Sequence, residues 1–168
     1  PALTTNLLDT ISLSKTFDVN FINYYRALPD KSDPSHVLTD KFLKEIKDIV
    51  RVRTKPLKYI EIARGKYEKK GDMDVEIVLD VVRAVDQLDA VILVTGDSDF
   101  TALRDYVLYE KRKKVVFVAF KHNLAWELKS GKYAEFERFR SSLEMGVKKI
   151  TPEPKLGRTL VSLLYSQP

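Results

Sequence analysis

The stretch VILVTGDSDF, Val91 to Phe100, decides how the rest of the chain is read. Val91 to Val94 form a short β-branched and aliphatic run with no polar face, the pattern of a strand buried on both sides. The run stops at Thr95-Gly96, and two carboxylates one residue apart, Asp97 and Asp99, follow at once. A helical pattern, FTALRDYVLYEKR, comes next, and then a second wholly apolar run, KVVFVAF. Strand, helix and strand in this order, with strands apolar on both faces, predict parallel strands covered by helices on both sides. In open parallel sheets ligands bind beyond the carboxyl ends of the strands, and Asp97 and Asp99 stand at that edge. Residues two apart in extended chain point the same way, so both carboxylates can face one point. Capping of the helix that starts near Phe100 is the ordinary alternative for Asp97 or Ser98, but one cap needs only one side chain.

The alternation continues outward from this core. LTTNLLDTISLS carries Leu3, Leu7, Leu8 and Ile11 at helical spacing, and FDVNFINYY reads as a strand. SHVLTDKFLKEIKDIV places Val37, Leu38, Phe42, Ile46 and Ile49 on one helical stripe. RVRTKPLKYIEI is strand-like, ARGKYEKKG reads as a loop, and GDMDVEIVLDVVRAV is a strongly apolar helix. NLAWELKSGKYAEFERF looks helical with a break near Gly131. The fold class predicted is α/β, a three-layer sandwich around a mostly parallel central sheet. One domain is expected over 1–140, with 141–168 as a C-terminal extension of unplaced role that includes Pro152, Pro154 and LVSLLYSQ.

A chain of 168 residues with 44% hydrophobic content buries one full core and hardly two. No apolar run is long enough to span a bilayer and no signal-like segment opens the chain, so a cytoplasmic location without membrane contact is expected. With no Cys, disulfides, thiolate metal sites and cysteine nucleophiles are excluded. The 29 Lys and Arg against 24 Asp and Glu give a formal charge of +5. That mildly favours a polyanionic partner, although many basic proteins bind none.

A third acid is found on a helical wheel advancing about 100° per residue from Asp74. Val75, Ile77, Val78, Leu79, Val81, Val82 and Val85 cover the arc around it, which places Asp74 inward on the first helical turn. Glu76, Asp80 and Arg83 fall on the solvated side. A helix between successive parallel strands begins at the carboxyl edge, so Asp74 meets Asp97 and Asp99 there. Packed carboxylates raise one another's pKa unless a cation lies among them. A hard divalent ion, Mg²⁺ or Mn²⁺, takes oxygen ligands and needs neither Cys nor His. An N-cap role for Asp74 at the helix's positive end is the competing reading.

KKGDMDVEIVLDVV, then DAVILVTGDSDFTALRDYV, then KKVVFVAF, in this order, resemble the NYN domain family of PIN-like metal-dependent ribonucleases. The resemblance spans roughly Phe17 to Phe139. It implies that Asp74, Asp97 and Asp99 are the metal-site acids, with Asp80 at a further acidic position of the motif; pairing of Asp80 with Arg83 is the alternative. The family's opening strand ends in an Asp within a Phe-Ile-Asp-Gly-x-Asn setting, and nothing here matches it. Residues upstream of Pro1 forming a short strand that ends in Asp, or supplying an equivalent acid, are therefore expected in the natural protein; a member that has lost its first acid is the alternative.

An RNA ligand requires cations and stacking surfaces. Arg64, Lys66, Lys69 and Lys70 surround Tyr67 in the segment that leads directly to Asp74. Aromatic side chains beside cations suit single-stranded RNA, and a solvated basic loop is the alternative. Arg51, Arg53, Lys55 and Lys58 alternate along a strand, which puts several on one face or charges a sheet edge. Lys121, His122 and Asn123 leave the strand VVFVAF at the carboxyl edge, where they can reach a phosphate; His36 reads as a surface residue. The function expected is metal-assisted hydrolysis of RNA phosphodiester bonds. A catalytically deficient PIN-like RNA-binding or protein-assembly module is the runner-up. Phosphatase-like chemistry through an aspartyl nucleophile ranks last, because no Asp-x-Asp ends a first strand.

Overall fold

In the computed structural model, residues 17–139 and 156–164 are described, with side chains over 19–137. Among these residues eight strands and three α-helices follow in chain order: β1 (Phe17–Leu28), α1 (Ser35–Ile46), β2 (Arg51–Pro56), β3 (Lys58–Ala63), β4 (Lys66–Lys70), α2 (Asp74–Ala84), β5 (Ala90–Val94), α3 (Thr101–Asp105), β6 (Lys114–Ala119), β7 (Lys132–Glu135) and β8 (Leu156–Leu164). Six strands make one sheet in the order β2-β1-β8-β5-β6-β7. Each neighbouring pair in it is parallel.

The central strands are apolar on both faces because both faces are covered. On one face α2, α3 and the helical turns flanking α3 press Ile77, Val81, Phe100, Leu103 and Val107 onto Tyr25, Val91, Leu93, Val115 and Phe117. On the other, Ile46 of α1 and Val50 cover Ile22, Tyr24, Ile92, Val116 and Val118. Val81, Val85, Val91 and Phe117 are wholly buried, each worth about 1.5–3 kcal/mol of transfer free energy. The expected three-layer α/β sandwich with a parallel sheet is the observed architecture.

Several local expectations are corrected. The segment Leu156–Leu164, unplaced by the sequence, lies inside the sheet, paired with β1 on one side and β5 on the other. RVRTKPLKYIEI divides at Leu57, where β2 ends as an edge strand of the main sheet and β3 leaves it. ARGKYEKKG is no loop: β3 and β4 form an antiparallel hairpin whose turn holds Gly65 at φ 73°, a conformation a side chain would strain. NLAWELKSGKYAEFERF is not helical. It gives a 3₁₀ turn at Trp126–Ser130, then β7, then a second 3₁₀ turn at Phe136–Phe139. The unpaired edge of β6 offers Lys132–Glu135 a full ladder of hydrogen bonds, which outweighs helical propensity over so short a stretch. FTALRDYVLYEKR is helical as far as Glu110 but changes pitch, from 3₁₀ through α3 to a π segment at Tyr106–Glu110. The stripe on α1 is only partly covered, for Val37 and Leu38 are 71% and 73% exposed while Ile46 is buried. The helix expected over LTTNLLDTISLS lies outside the described residues.

Candidate active site

The turn after β5 explains how two acids come to face one point. Asp97 is extended and precedes a 3₁₀ turn, Ser98–Phe100, and its Oδ1 accepts the backbone N–H of Asp99 at 3.0 Å. The capping role is therefore real. It occupies one oxygen of Asp97 and leaves the other carboxylate oxygens of the pair available. Gly96 serves by its lack of a side chain, because a Cβ there would lie 2.0 Å from the carbonyl oxygen of Asn123 and 2.6 Å from its carbon. Its own carbonyl accepts the N–H of Ala125 at 2.9 Å, so the segment after β6 is laced to the acidic turn through backbone alone.

The third acid comes from the start of α2. Met73 holds the N-cap position without a side-chain cap bond, so Asp74 is the first helical residue and not the cap. Asp74, Asp97 and Asp99 each offer a carboxylate oxygen, and these oxygens lie within 4.8 Å of one another. Partial burial is the largest influence raising the pKa of Asp74 above its ordinary value, followed by the charges of Asp97, Asp72 and Asp99, with Lys55 opposing. Asp72 thus adds a fourth negative charge to the neighbourhood that the sequence reading did not use; its place two residues before Asp74 was the available signal. Three convergent oxygen donors with one of them burdened by its neighbours' charge fit a hard divalent cation.

The helical wheel misplaced Asp80. Instead of facing solvent beside Arg83, its side chain is 17% exposed, accepts the Tyr25 hydroxyl at 3.0 Å and pairs with Arg53 Nε at 3.1 Å. The wheel assumed a single buried arc, whereas α2 also packs sideways against polar residues of β1 and β2. Val75, Leu79 and Val82, placed inward by the wheel, are exposed. Asp80 is two turns along α2 from Asp74 and is held in a separate polar cluster.

The basic residues divide by their partners. Lys69 donates to Asp33 at 2.6 Å. Tyr59 donates its hydroxyl to the same carboxylate at 3.1 Å and accepts the N–H of Asp30 at 2.9 Å, so the hairpin is tied to the loop after β1. Arg64, Lys66 and Lys70 have no carboxylate partner among the described residues, and Tyr67 is 58% exposed beside them. Lys55 is paired with Glu76 at 2.9 Å. Lys121 donates its backbone N–H to both carboxylate oxygens of Glu137 at 3.0 Å. His122 is exposed, stacks on Phe120 and stands 3.9 Å from Glu137, while the Asn123 backbone abuts Gly96. His36 is held by the carbonyl of Pro29 at 2.9 Å.

The ion pair of Asp33 has a consequence for acid stability. Hydrogen bonding from Lys69 above all, then from the Ser35 hydroxyl and N–H, lowers its pKa from the ordinary 3.8. A group depressed in the folded state stabilises above its unfolded pKa and loses that contribution as pH falls through the folded value. Asp33→Asn is therefore expected to lower thermal stability at neutral pH and to converge on the parent chain in acid below pH 3.8. Melting curves taken across that range check it, and a deficit that persists unchanged in strong acid would remove the ion pair as its cause.

Comparison with known proteins agrees with this geometry. The model of the family described as NYN domain matches residues 6–136. The chain is 30% identical over 115 residues to the Low amplitude and bright protein LabA of Synechococcus elongatus, an alignment covering 66% of this chain and 60% of that protein. It therefore spans about 60% of the length of this relative. A crystal structure of a Vibrio parahaemolyticus protein described as of unknown function superposes with a TM-score of 0.51 at 27% identity, covering 68% of this chain and 69% of the other. No helix among the described residues is long and apolar enough to cross a membrane. A parallel α/β sheet with an acidic cluster at its carboxyl edge, and a family match over most of the chain, establish that this protein belongs to the NYN domain family.

Proposed function

We propose that the chain is a metal-dependent endoribonuclease that hydrolyses RNA phosphodiester bonds at the carboxyl edge of its sheet. The observation that carries this reading is the convergence of Asp74, Asp97 and Asp99 within 4.8 Å. These three residues would hold Mg²⁺ or Mn²⁺, whose oxygen preference their carboxylates match. Such an ion, when bound, supplies Lewis-acid charge neutralisation and lowers the pKa of a water for in-line attack. The chain's own residues orient the reaction. The 3₁₀ turn fixes Asp97 against the N–H of Asp99, and the first turn of α2 brings Asp74 across to them. No side-chain nucleophile is required, and the exposed His122 has Glu137 as its neighbour at 3.9 Å.

Single-stranded RNA is the substrate class the surface suits. Arg64, Lys66 and Lys70 supply unpaired cations on the hairpin that runs into Asp72 and Asp74, and Tyr67 supplies an exposed ring for a base. Lys121, His122 and Asn123 flank the acidic turn from the other side. Lys69 contributes more to anchoring the hairpin than to binding, since Asp33 neutralises it. The proposed setting is the cytoplasm.

Replacing Arg64, Lys66 and Lys70 together by Gln is expected to lower the slope of log affinity against log salt by about two units for single-stranded RNA, at roughly 0.7 per lost phosphate contact. Lys69→Gln should change that slope little. Fluorescence anisotropy over a salt series checks both, and an unaltered slope in the triple variant would return the hairpin to a solvated role.

One observation favours the runner-up, a module that binds RNA or assembles with proteins without cleaving. The strand beside β5 on the side of β1 is β8, and its sequence LGRTLVSLL contains no acid; among the described residues the carboxylates that converge are those of Asp74, Asp97 and Asp99. Calorimetric titration with Mn²⁺ followed by a cleavage assay on labelled RNA separates the two. Binding with cleavage supports the nuclease, and RNA binding without either leaves the module.

A further inference from the structure

A second polar site lies on the half of the sheet nearer the amino ends of its strands, beneath the last turns of α2. Residues of β1, β2, α2 and the 3₁₀ turn after it line an open cavity of about 580 Å³ there. The register of β1 on β2 sets Asn23 against Arg51 and Tyr25 against Arg53, all on the face covered by α2. Three arginines, Arg51, Arg53 and Arg83, line the cavity against one carboxylate, Asp80. Asp80 is already engaged by Arg53 and by the Tyr25 hydroxyl. Arg51 lies 4.2 Å over the ring of Phe21, and neither it nor Arg83 has a carboxylate partner among the described residues.

Asn23 supplies an independent observation. It is 2% exposed, its Nδ2 donates to the Tyr25 hydroxyl at 3.0 Å, and its Oδ1 has no hydrogen-bond partner among the described residues. That assignment of the amide is fixed by Tyr25, which spends its own hydrogen on Asp80 and must accept from Asn23. A buried acceptor left unpaired is rare, and it marks this wall of the cavity as polar and incompletely satisfied. The apolar parts of the lining, Phe21 and Leu88, suit a flat ring, and the unneutralised guanidiniums of Arg51 and Arg83 suit a phosphate. The volume is within the range of roughly 300–1,000 Å³ usual for small-molecule sites and far exceeds what inorganic phosphate needs.

We propose that this cavity binds a free nucleoside phosphate, its phosphate between Arg51 and Arg83 and an N–H of its base donating to Asn23 Oδ1. The site is separate from the acidic cluster and does not depend on the nuclease reading. The test uses the full chain in EDTA, so that no metal recruits phosphate to Asp74, Asp97 and Asp99. Purine and pyrimidine nucleoside monophosphates, the parent nucleosides and inorganic phosphate are each titrated by calorimetry and by thermal shift. At least one monophosphate is expected to bind and raise the melting temperature, more than its nucleoside or inorganic phosphate does. The double variant R51Q/R83Q should weaken that binding by about tenfold or more, as loss of charge-assisted contacts to phosphate requires. Asn23→Leu should remove the preference for the monophosphate over inorganic phosphate; if that variant does not fold, the arginine pair, which is exposed, carries the test alone. No thermal shift at millimolar monophosphate, an equal response to inorganic phosphate, or undiminished binding by R51Q/R83Q would each overturn the proposal. Displacement of the monophosphate by a 5′-phosphorylated oligoribonucleotide would overturn it too, by assigning the cavity to a strand end.

Discussion

Asp97→Asn is expected to abolish Mn²⁺-dependent RNA cleavage, a loss of at least a hundredfold or about 2.7 kcal/mol of transition-state stabilisation, without lowering the melting temperature in EDTA. The two halves of the expectation have different origins. Asn keeps an Oδ1 that can accept the Asp99 N–H, so the turn after β5 retains its cap. What disappears is a charge among carboxylates whose oxygens lie within 4.8 Å of each other. Asp97 is also the largest charged contributor to the raised pKa of Asp74, second only to that residue's own burial. An acid whose folded pKa is raised weakens the fold where it is ionised, and the penalty fades as pH falls through the raised value. Removing the Asp97 charge relieves that penalty at neutral pH, so the metal-free variant should melt at the parent temperature or above it. Added Mn²⁺ should then stabilise the parent chain and not the variant, by mass action on the folded state. A large fall in melting temperature without metal would show Asp97 to be a structural cap, and full cleavage activity would take the site away from these residues.

Much of this site is legible in the sequence because it rests on periodicity and topology. VILV and VVFVA can only be buried strands, and a helix joining parallel strands starts at the edge where the preceding one ends. Asp74 therefore had to arrive near Asp97 and Asp99. The sequence fails where tertiary partners decide. Asp80 looks solvated on a wheel because nothing in α2 announces that Tyr25 and Arg53 reach it from the sheet. KYAE looks like a continuation of a helix until the free edge of β6 is there to pair with it. KYEKK looks like a mobile basic loop because its charges obscure the strand, which Lys69 and Tyr59 then tie down through Asp33. In each case the missing information is a neighbour remote in sequence. The unpartnered Oδ1 of Asn23 belongs with them, since FINYY gives no sign that one polar side chain in the strand faces a cavity.

Gly96 carries the second large expectation. From the sequence its role is to let the chain turn sharply, in which case Ala would cost little more than about 1 kcal/mol. The structure gives another reason. Its backbone is not in the left-handed region, and the obstacle to a side chain is the carbonyl of Asn123, which a Cβ would meet at 2.0 Å, with the Leu124 Cα at 3.0 Å behind it. These are backbone atoms of a segment fixed by the Ala125 N–H to Gly96 carbonyl bond and by the buried Leu124 and Leu128, so they cannot swing aside as a side chain does. Gly96→Ala must push the 121–125 segment off the turn, breaking that bond and loosening the packing under it. A destabilisation of about 2–4 kcal/mol is expected, a fall in melting temperature of roughly 10 °C for a chain of this size. Because the same shift carries Asp97 away from Asp74, Mn²⁺ affinity should fall with it. Gly65→Ala is the control: Gly65 has φ 73° but nothing within 4 Å of a new Cβ, so only the backbone preference is lost, about 1 kcal/mol, and the acidic turn is untouched. Calorimetric melting of the two variants side by side decides it. If Gly96→Ala melts no lower than Gly65→Ala, the contact with Asn123 is soft, and the acidic turn is positioned by the strand and its cap alone.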